Sequence, residues 1–417
     1  MGRQLYRAYP QFRLSIQRMD KHYETIVGKS LIKTTGLFSD GDVQRTPLGD
    51  VWPIEIILPS IAMLQMALFD LLRSIGVVPD IVIGHSAGET AMIYASGAAP
   101  LEMALEIAIA RGLATSLAEG AGGAMAALAC SPEDARILIN TVVGEQGGGV
   151  LEVACFNAQE AVTLAGDEHL VDRVVQVAQE KGYFARKIRT RVAVHSSLMD
   201  ICREKYHELI EAVFSRYPGI HRPKMVAYST LTGDLFDEPF TQEYFWDNTR
   251  MPVVFTQAVT SLLKRTPTAA FVEIGAHPAL ASYLTALGVS RPSICPMRRA
   301  KVLQSFHEPQ VFLESVGLLS NLGYNFIDFN SLNGCSSLDS HSSIPVYPFQ
   351  RKHIPYYPDS SSIVTSQNET RNGPLNHKRL RMNAQSHPTL AQHVIRGEAI
   401  MPAAGFIEMV NKIFTRV

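Results

Sequence analysis

The feature that most restricts the fold is a short apolar run that leads directly into a serine flanked by glycines. The run is Ile-Val-Ile at 81–83, and Gly-His-Ser-Ala-Gly follows it, with Ser86 at the centre. A buried parallel strand is apolar throughout rather than alternating. A G-x-S-x-G sequence between such a strand and a helix is typical of a sharp turn that exposes the serine hydroxyl. The pattern predicts a nucleophilic serine at the top of a sheet.

The backbone beside this serine is the predicted second part of the site. The N–H of Ala87, at the start of the following helix, would face an oxyanion formed on an attacked carbonyl. Gly84 and Gly88 would leave the backbone room to turn. The alternative is a glycine-rich turn whose serine takes no part in chemistry, and the pentapeptide alone leaves that alternative open.

The rest of the first 330 residues predicts alternating helices and strands. Apolar residues recur at helical spacing over 59–75 and 101–117. Strand-like runs occupy 151–164, and a further apolar run at 271–275 ends in glycine. Strands that alternate with helices favour an α/β layer fold.

Composition removes several classes of function. Of 417 residues, 46% are hydrophobic and 18% are charged, so the chain can bury a large core in two or three domains. A formal charge of −1 argues against a nucleic-acid binder with a basic surface and against a polybasic membrane anchor. The five cysteines show no metal-ligand spacing, which predicts no zinc site and a reducing, cytoplasmic setting.

Two further residues are candidates for a role in catalysis or substrate binding beside Ser86. His195 follows a short β-branched run, so it would lie at a strand end or in a loop, where a base for the serine could project. Arg111 follows an apolar helical stretch, with Ile107 and Ala108 one turn before it. Each has an ordinary alternative: a histidine satisfied at the surface, or an arginine whose head reaches water. The residues alone leave these alternatives open.

Taken together and in order, these segments resemble a known enzyme family. They are Gly-His-Ser-Ala-Gly-Glu at 84–89, Arg111, Val-Ala-Val-His-Ser-Ser-Leu-Met-Asp at 192–200, and Phe-Val-Glu-Ile-Gly-Ala-His-Pro-Ala-Leu at 271–280. Residues 1–330 resemble the acyltransferase domains of type I polyketide synthases, relatives of the malonyl-CoA:acyl-carrier-protein transacylases. The similarity is greatest to fungal iterative synthases.

The resemblance implies a fold, a reaction and its partners. The fold would be an α/β-hydrolase-like large subdomain with a ferredoxin-like small subdomain inserted at about 123–187. Ser86 would take a malonyl group from CoA, with His195 as general base held by a backbone carbonyl, and would pass it to the phosphopantetheine thiol of an acyl carrier protein. Arg111 would bind the malonyl carboxylate. No bound cofactor is implied, and the ketosynthase and dehydratase domains of the parent synthase would be neighbours.

The resemblance also assigns less specific positions and exposes two departures. Asn157 and His277 match residues near the family's pocket. Val194 stands where malonyl-selective members carry an aromatic residue and methylmalonyl-type members a serine, so malonyl remains the favoured group. The family has a Gly-Gln-Gly strand and loop just before the segment matching Met1, and this sequence as written does not include it. We therefore expect one oxyanion donor fewer, which costs about a hundredfold to a thousandfold in rate.

The last part of the chain differs in character. Residues 331–376 are rich in Ser, Pro and Tyr and resemble the linker that follows acyltransferase domains, partly disordered. Residues 377–417 resemble the beginning of a dehydratase, a double hot-dog domain, in which His393 matches the catalytic histidine. About forty residues cannot bury such a site, so we expect His393 to be vestigial.

Two other functions remain open at this level. A serine esterase or thioesterase would use the same serine and histidine but would have no need of Arg111. A catalytically impaired fragment of a synthase would keep the residues without the activity.

Overall fold

The computed structural model describes residues 2–38, 51–299, 307–334, 388 and 392–407. The chain divides into two compact units, Met1–Ser342 and Ser343–Val417. The described helices of the first unit are α1 (Arg3–Ala8), α2 (Pro10–Val27), α3 (Leu31–Thr35), α4 (Ile54–Ser74), α5 (Gly88–Ala95), α6 (Leu101–Thr115), α7 (Pro132–Gln146), α8 (Glu168–Glu180), α9 (Arg203–Arg216), α10 (Gln242–Arg250), α11 (Phe255–Arg265), α12 (Ala281–Ala286), α13 (Glu308–Asn321) and α14 (Phe329–Leu332). Its strands are β1 (Ile81–Ile83), β2 (Gly123–Leu128), β3 (Leu151–Ala158), β4 (Ala161–Asp167), β5 (Ala185–Lys187), β6 (Val226–Ser229) and β7 (Asp234–Leu235).

Helix α4 is the longest apolar element and corrects one prediction. It begins at Ile54 rather than at Pro59, which lies buried inside the helix. The carbonyl of Pro53 accepts the N–H groups of Ile56 and Ile57 and so starts the first turn. A proline removes one helical hydrogen bond, but burial of the long apolar helix outweighs that loss. By length and composition α4 could cross a membrane, yet 67% of its apolar window is buried within the protein, as for a core helix.

The larger core surrounds a short sheet that carries the serine. Strand β1 pairs in parallel with β6, with Ile81 opposite Val226, and β7 lies antiparallel to β6. Helices α5 and α11 contact the sheet, and α2, α4, α6 and α9 pack against one another in the same core. The strand predicted at 271–275 is present only as an isolated parallel bridge between Val272 and Ile294. Residues 271–275 are half-buried, and among the described residues a single position pairs with this segment, so it does not form the predicted buried strand.

A second sheet lies within the same unit and has its own core. Its elements follow in the order β2, α7, β3, β4, α8, β5, and its strands lie in the order β3-β4-β2-β5, all antiparallel. The apolar faces of α7 and α8 close one side of the sheet, with Leu138, Leu164 and Val174 fully enclosed.

The described part of the second unit is a small hairpin. Strands β8 (Val394–Ile395) and β9 (Glu398–Ala399) are antiparallel, and the two residues between them, Arg396 and Gly397, both have positive φ, as a tight hairpin turn requires. The predicted linker falls outside the described residues from 335 onward. The hot-dog assignment stays a prediction.

Candidate active site

The turn after β1 is built so that Ser86 projects from it. Ser86 has φ 54°, a left-handed conformation that a non-glycine residue adopts only where the surroundings enforce it. The turn then closes into α5 through a bond from the Gly88 N–H to the His85 carbonyl at 2.9 Å. A Cβ on Gly84 would lie 2.7 Å from the backbone of Glu89. Only glycine fits there, which explains the first glycine of the motif.

The serine hydroxyl meets a histidine that a backbone carbonyl holds in place. Ser86 Oγ lies 2.6 Å from His195 Nε2, and His195 Nδ1 lies 2.9 Å from the carbonyl oxygen of Met251. Because a carbonyl can only accept, Nδ1 carries the proton, and Nε2 is free to accept the proton of Ser86. The His195 backbone N–H donates to the Thr249 carbonyl at 2.9 Å, and its φ of 65° again marks an enforced conformation.

The surroundings of His195 keep its ring neutral. The residue is 2% exposed, and burial lowers the pKa of its imidazole to about 3, with further lowering from His85 and Arg111. The bond to Met251 acts in the opposite direction. A neutral imidazole at physiological pH is the form that can accept a proton.

The predicted oxyanion donor lies where the turn enters α5. Ala87 is the N-cap of that helix, and no acceptor for its N–H is found among the described residues. An unpaired N–H at the positive end of a helix is suited to a developing negative charge.

Arg111 is a buried cation whose partners are all neutral. It is 4% exposed and lies 5.9 Å from the ring centre of Phe245. Its Nη1 donates to Thr90 Oγ1 at 2.8 Å, and its Nη2 donates to Asn248 Oδ1 at 2.8 Å and to Thr249 Oγ1 at 3.1 Å. No aspartate or glutamate of the described ranges forms an ion pair with it. A buried charge that makes no ion-pair contact is costly, so this arrangement suits an incoming anion.

Beneath the turn, Glu89 ties α5 to β6 and α10. It is fully buried, and it accepts the Thr230 N–H at 2.7 Å, the Thr230 hydroxyl at 2.8 Å and the Tyr244 hydroxyl. Burial raises the pKa of this carboxyl group, while these donors and the charge of Arg111 lower it. Glu89 thereby connects α5, the helix that follows Ser86, to α10, the helix whose side chains bond Arg111.

Helix α10 organises both sides of the site. It supplies Tyr244 to Glu89, the Asn248 and Thr249 side chains to Arg111, and the Thr249 backbone carbonyl to His195. The residue after the helix, Met251, orients the imidazole. The sequence patterns did not predict these positions of α10 or the residue after it. Polar residues four apart on α10, at 244 and 248, were an available signal, whereas a backbone carbonyl leaves none.

The other predicted site residues divide into those near Ser86 and those apart from it. Asn157, on β3, accepts from His85 Nε2 at 2.8 Å and so joins the turn to the second sheet. Val194 is half-buried against the larger core. His277 is exposed and accepts the Arg299 N–H at 3.1 Å, and no described hydrogen bond joins it to Ser86, His195 or Arg111.

The remaining predicted residue lies in the second unit. His393 is exposed, and its Nδ1 lies 2.8 Å from the Ile400 carbonyl. Within the described ranges, no group of three or more His, Cys, Asp or Glu side chains could hold a metal ion.

Comparison with known proteins decides the family. The acyl transferase domain model matches residues 1–310. The chain belongs to this family. The acyltransferase is 49% identical over 98% of its length to a highly reducing polyketide synthase of Strobilurus tenacellus, of which it spans 15%.

Solved structures agree with this assignment. The acyltransferase domain from the second module of the salinomycin polyketide synthase is 26% identical, with a TM-score of 0.66, over 80% of this chain and 72% of that one. The acyltransferase domain of SpnD, solved in complex with 2-(pent-4-yn-1-yl)malonyl, is 26% identical, with a TM-score of 0.65, over 78% of this chain and 73% of that one. The chain is therefore an acyltransferase domain of the polyketide synthase type.

Proposed function

We propose that this acyltransferase moves a malonyl, or closely related dicarboxylic acyl, group from CoA to the phosphopantetheine thiol of an acyl carrier protein during polyketide biosynthesis. Ser86 carries the group between the two thiols. The observation that carries the proposal is Arg111, a buried cation that forms no described ion pair. It bonds Thr90, on the helix that follows Ser86, and Thr249, whose carbonyl accepts the His195 backbone N–H. Among the similar structures, SpnD binds a malonyl derivative.

In the first half-reaction, His195 Nε2 takes the proton of Ser86 as Oγ attacks the thioester carbon. The oxyanion forms beside the N–H of Ala87. When the carbon–sulfur bond breaks, the imidazolium returns its proton to the CoA thiolate. The second half-reaction reverses these steps: the carrier thiol gives its proton to His195, its sulfur attacks the acyl-serine, and Ser86 recovers its hydrogen.

Arg111 would fix the far end of the acyl group. A guanidinium binds a carboxylate through two parallel N–H bonds, which sets direction as well as distance. Thr90 lies on the helix that follows Ser86, and Thr249 accepts the His195 backbone N–H, so the partners of Arg111 are tied to the segments that carry both reacting groups. A carboxylate seated there would place its thioester toward Ser86, which removes much of the entropic barrier.

We also propose the finer organisation that the family resemblance implies. The second sheet, from Gly123 to Lys187, has the β–α–β–β–α–β order of a ferredoxin-like unit, and we assign it as the small subdomain inserted into an α/β-hydrolase-like large one. The acyltransferase would cover 1–330, the linker 331–376 and the dehydratase beginning 377–417. Its neighbours would be the ketosynthase and dehydratase of a cytoplasmic synthase.

The test is transfer of a malonyl group in two stages. Incubation with malonyl-CoA should leave a malonyl adduct on the peptide that contains Ser86, detected by mass spectrometry. Addition of a holo carrier protein should then move the adduct to the carrier thiol. Ser86→Gly is the matched control, because glycine tolerates the left-handed backbone at this position. A folded chain that takes up no malonyl group, or takes up acetyl equally well from acetyl-CoA, would refute the proposal.

The second candidate is a thioesterase or esterase, which the Ser86–His195 pair alone would also support. It differs in where the acyl group goes. Release of malonate to water at the same rate with and without the carrier protein would favour the hydrolase. We favour transfer because a hydrolase of uncharged esters has no use for the buried charge of Arg111.

The pH dependence of acylation follows from the state of His195. With its pKa lowered to about 3 by burial, the imidazole stays neutral as the pH falls, so the rate of Ser86 acylation should be nearly flat from pH 8 to pH 5. An ordinary histidine, with a pKa near 6.5, would lose most of its base form over that range. Stopped-flow acylation at constant ionic strength measures the profile, and an inflection near pH 6.5 would contradict the prediction.

The same shift makes His195 a source of acid sensitivity. In the unfolded chain His195 takes up a proton below about pH 6.5, whereas in the folded protein it does so only near pH 3. Its contribution to stability is therefore complete above pH 6.5 and declines as the pH falls toward 3.

A further inference from the structure

The hydrogen bonds of Arg111 leave neither of its two carboxylate-binding edges fully free to bind a carboxylate. A guanidinium has five N–H groups. A carboxylate can be bound by a pair of N–H groups either on the edge formed by Nε and Nη2 or on the edge formed by Nη1 and Nη2. Both edges require Nη2, which carries two hydrogens and is bonded to two acceptors, Asn248 Oδ1 and Thr249 Oγ1. A carboxylate can therefore bind through two bonds only if one of these acceptors withdraws.

The Nε–H of Arg111 shows which edge is ready for a ligand. It is buried and has no hydrogen-bond partner in the described part of the chain, and the residue is 4% exposed. A buried donor without an acceptor carries a large penalty. A carboxylate on the Nε–Nη2 edge would remove that penalty, and it would need one of the two hydrogens on Nη2.

The two acceptors differ in how firmly they are held. The Thr249 hydroxyl also bonds the Phe245 carbonyl at 3.0 Å and the Tyr206 hydroxyl at 2.9 Å, so it belongs to a fixed network. Asn248 reaches Nη2 with the end of a side chain that has two rotatable bonds, and its Oδ1 contact is to Arg111. Asn248 is the acceptor that can leave at lower cost.

We propose that Asn248 is a specificity-determining residue that competes with the substrate carboxylate for Arg111. On this account, which rests on the proposed function, the carboxylate of the acyl group takes the free Nε–H and replaces Asn248 Oδ1 on Nη2. In the absence of ligand, Asn248 partly satisfies the buried guanidinium. Acyl groups that lack a carboxylate cannot displace it and gain nothing from Arg111.

The test compares binding of malonyl-CoA and acetyl-CoA by calorimetry, in the full chain carrying Ser86→Gly so that no transfer occurs. Asn248→Ala removes the competitor and should tighten malonyl-CoA binding by about tenfold, since a hydrogen bond to a charged group no longer has to be broken. Asn248→Asp places a permanent carboxylate on Nη2 and should weaken malonyl-CoA binding by more than about tenfold. Neither change should alter the Kd of acetyl-CoA. Asn140→Ala, at an exposed position of α7, should leave both Kd values unchanged.

Each result separates the two levels of the proposal. If Asn248→Ala weakens malonyl-CoA binding or leaves it unchanged, Asn248 only positions Arg111 and the competition is refuted, while the proposed function stands. If the chain with Asn248 intact binds malonyl-CoA no more tightly than acetyl-CoA, the proposed function and this inference both fail. Thermal unfolding of each variant, compared with the Ser86→Gly chain, establishes that the folded protein is being measured.

Discussion

A chain in which asparagine replaces His195 should acylate Ser86 about 10²–10⁴ times more slowly than the unchanged chain, the range that a positioned general base contributes. The change removes the acceptor that lies 2.6 Å from the serine oxygen, and with it the donor that would protonate the departing thiolate. Asparagine is the suitable replacement because His195 has φ 65°, a backbone conformation that asparagine tolerates better than alanine does. Single-turnover acylation by malonyl-CoA, followed by mass spectrometry, measures the rate.

The control for this change is His169→Asn, at an exposed position on α8, which should acylate at the unchanged rate. Thermal unfolding of both variants tests whether they fold. A folded His195→Asn chain that loses less than about tenfold in rate would mean that another group takes the serine proton, and the assignment of His195 would be wrong.

Replacement of Arg111 by alanine should slow acylation by malonyl-CoA about 10²–10³-fold and change acylation by acetyl-CoA little. Loss of one partner from a buried charge pair typically costs this much, because the other charge is left without compensation. The preference for a dicarboxylic group should therefore disappear, whereas the reaction at Ser86 remains. Rates with the two thioesters, measured on the same preparation, give the ratio directly.

Two companion variants sharpen this result. Arg111→Lys keeps the charge but not the planar fork, so it should recover only part of the preference. Arg173→Ala removes a surface arginine that pairs with Glu145 at 3.0 Å and should leave the ratio as it was. An unchanged ratio in Arg111→Ala would contradict a role in carboxylate binding and would favour the hydrolase.

The segments that sequence analysis predicted best are those that local interactions determine. The strand at 81–83, the turn at Ser86 and the helix after it are neighbours in the chain, and the glycine at 84 reports a contact with Glu89 only five residues away. The prediction failed at the start of α4, where burial outweighs a proline, and at 271–275, where an apolar run pairs at one position only. Both errors concern long-range packing, which a local pattern does not report.

The sequence by itself determined that Ser86 would stand on a strand-to-helix turn. The apolar run at 81–83, the glycines at 84 and 88 and the helix-forming residues that follow all act over a few neighbouring residues. The sequence left His195 and Arg111 each with an ordinary alternative until a family resemblance favoured one. Only the tertiary structure decided that His195, 109 positions from Ser86, contacts the serine hydroxyl and is oriented by the carbonyl of Met251. The tertiary structure alone also brought Asn248 into hydrogen-bond contact with Arg111, 137 positions away. A backbone carbonyl is common to every residue, and contacts between distant segments arise from packing of the whole domain, so neither can be recognised in a linear pattern.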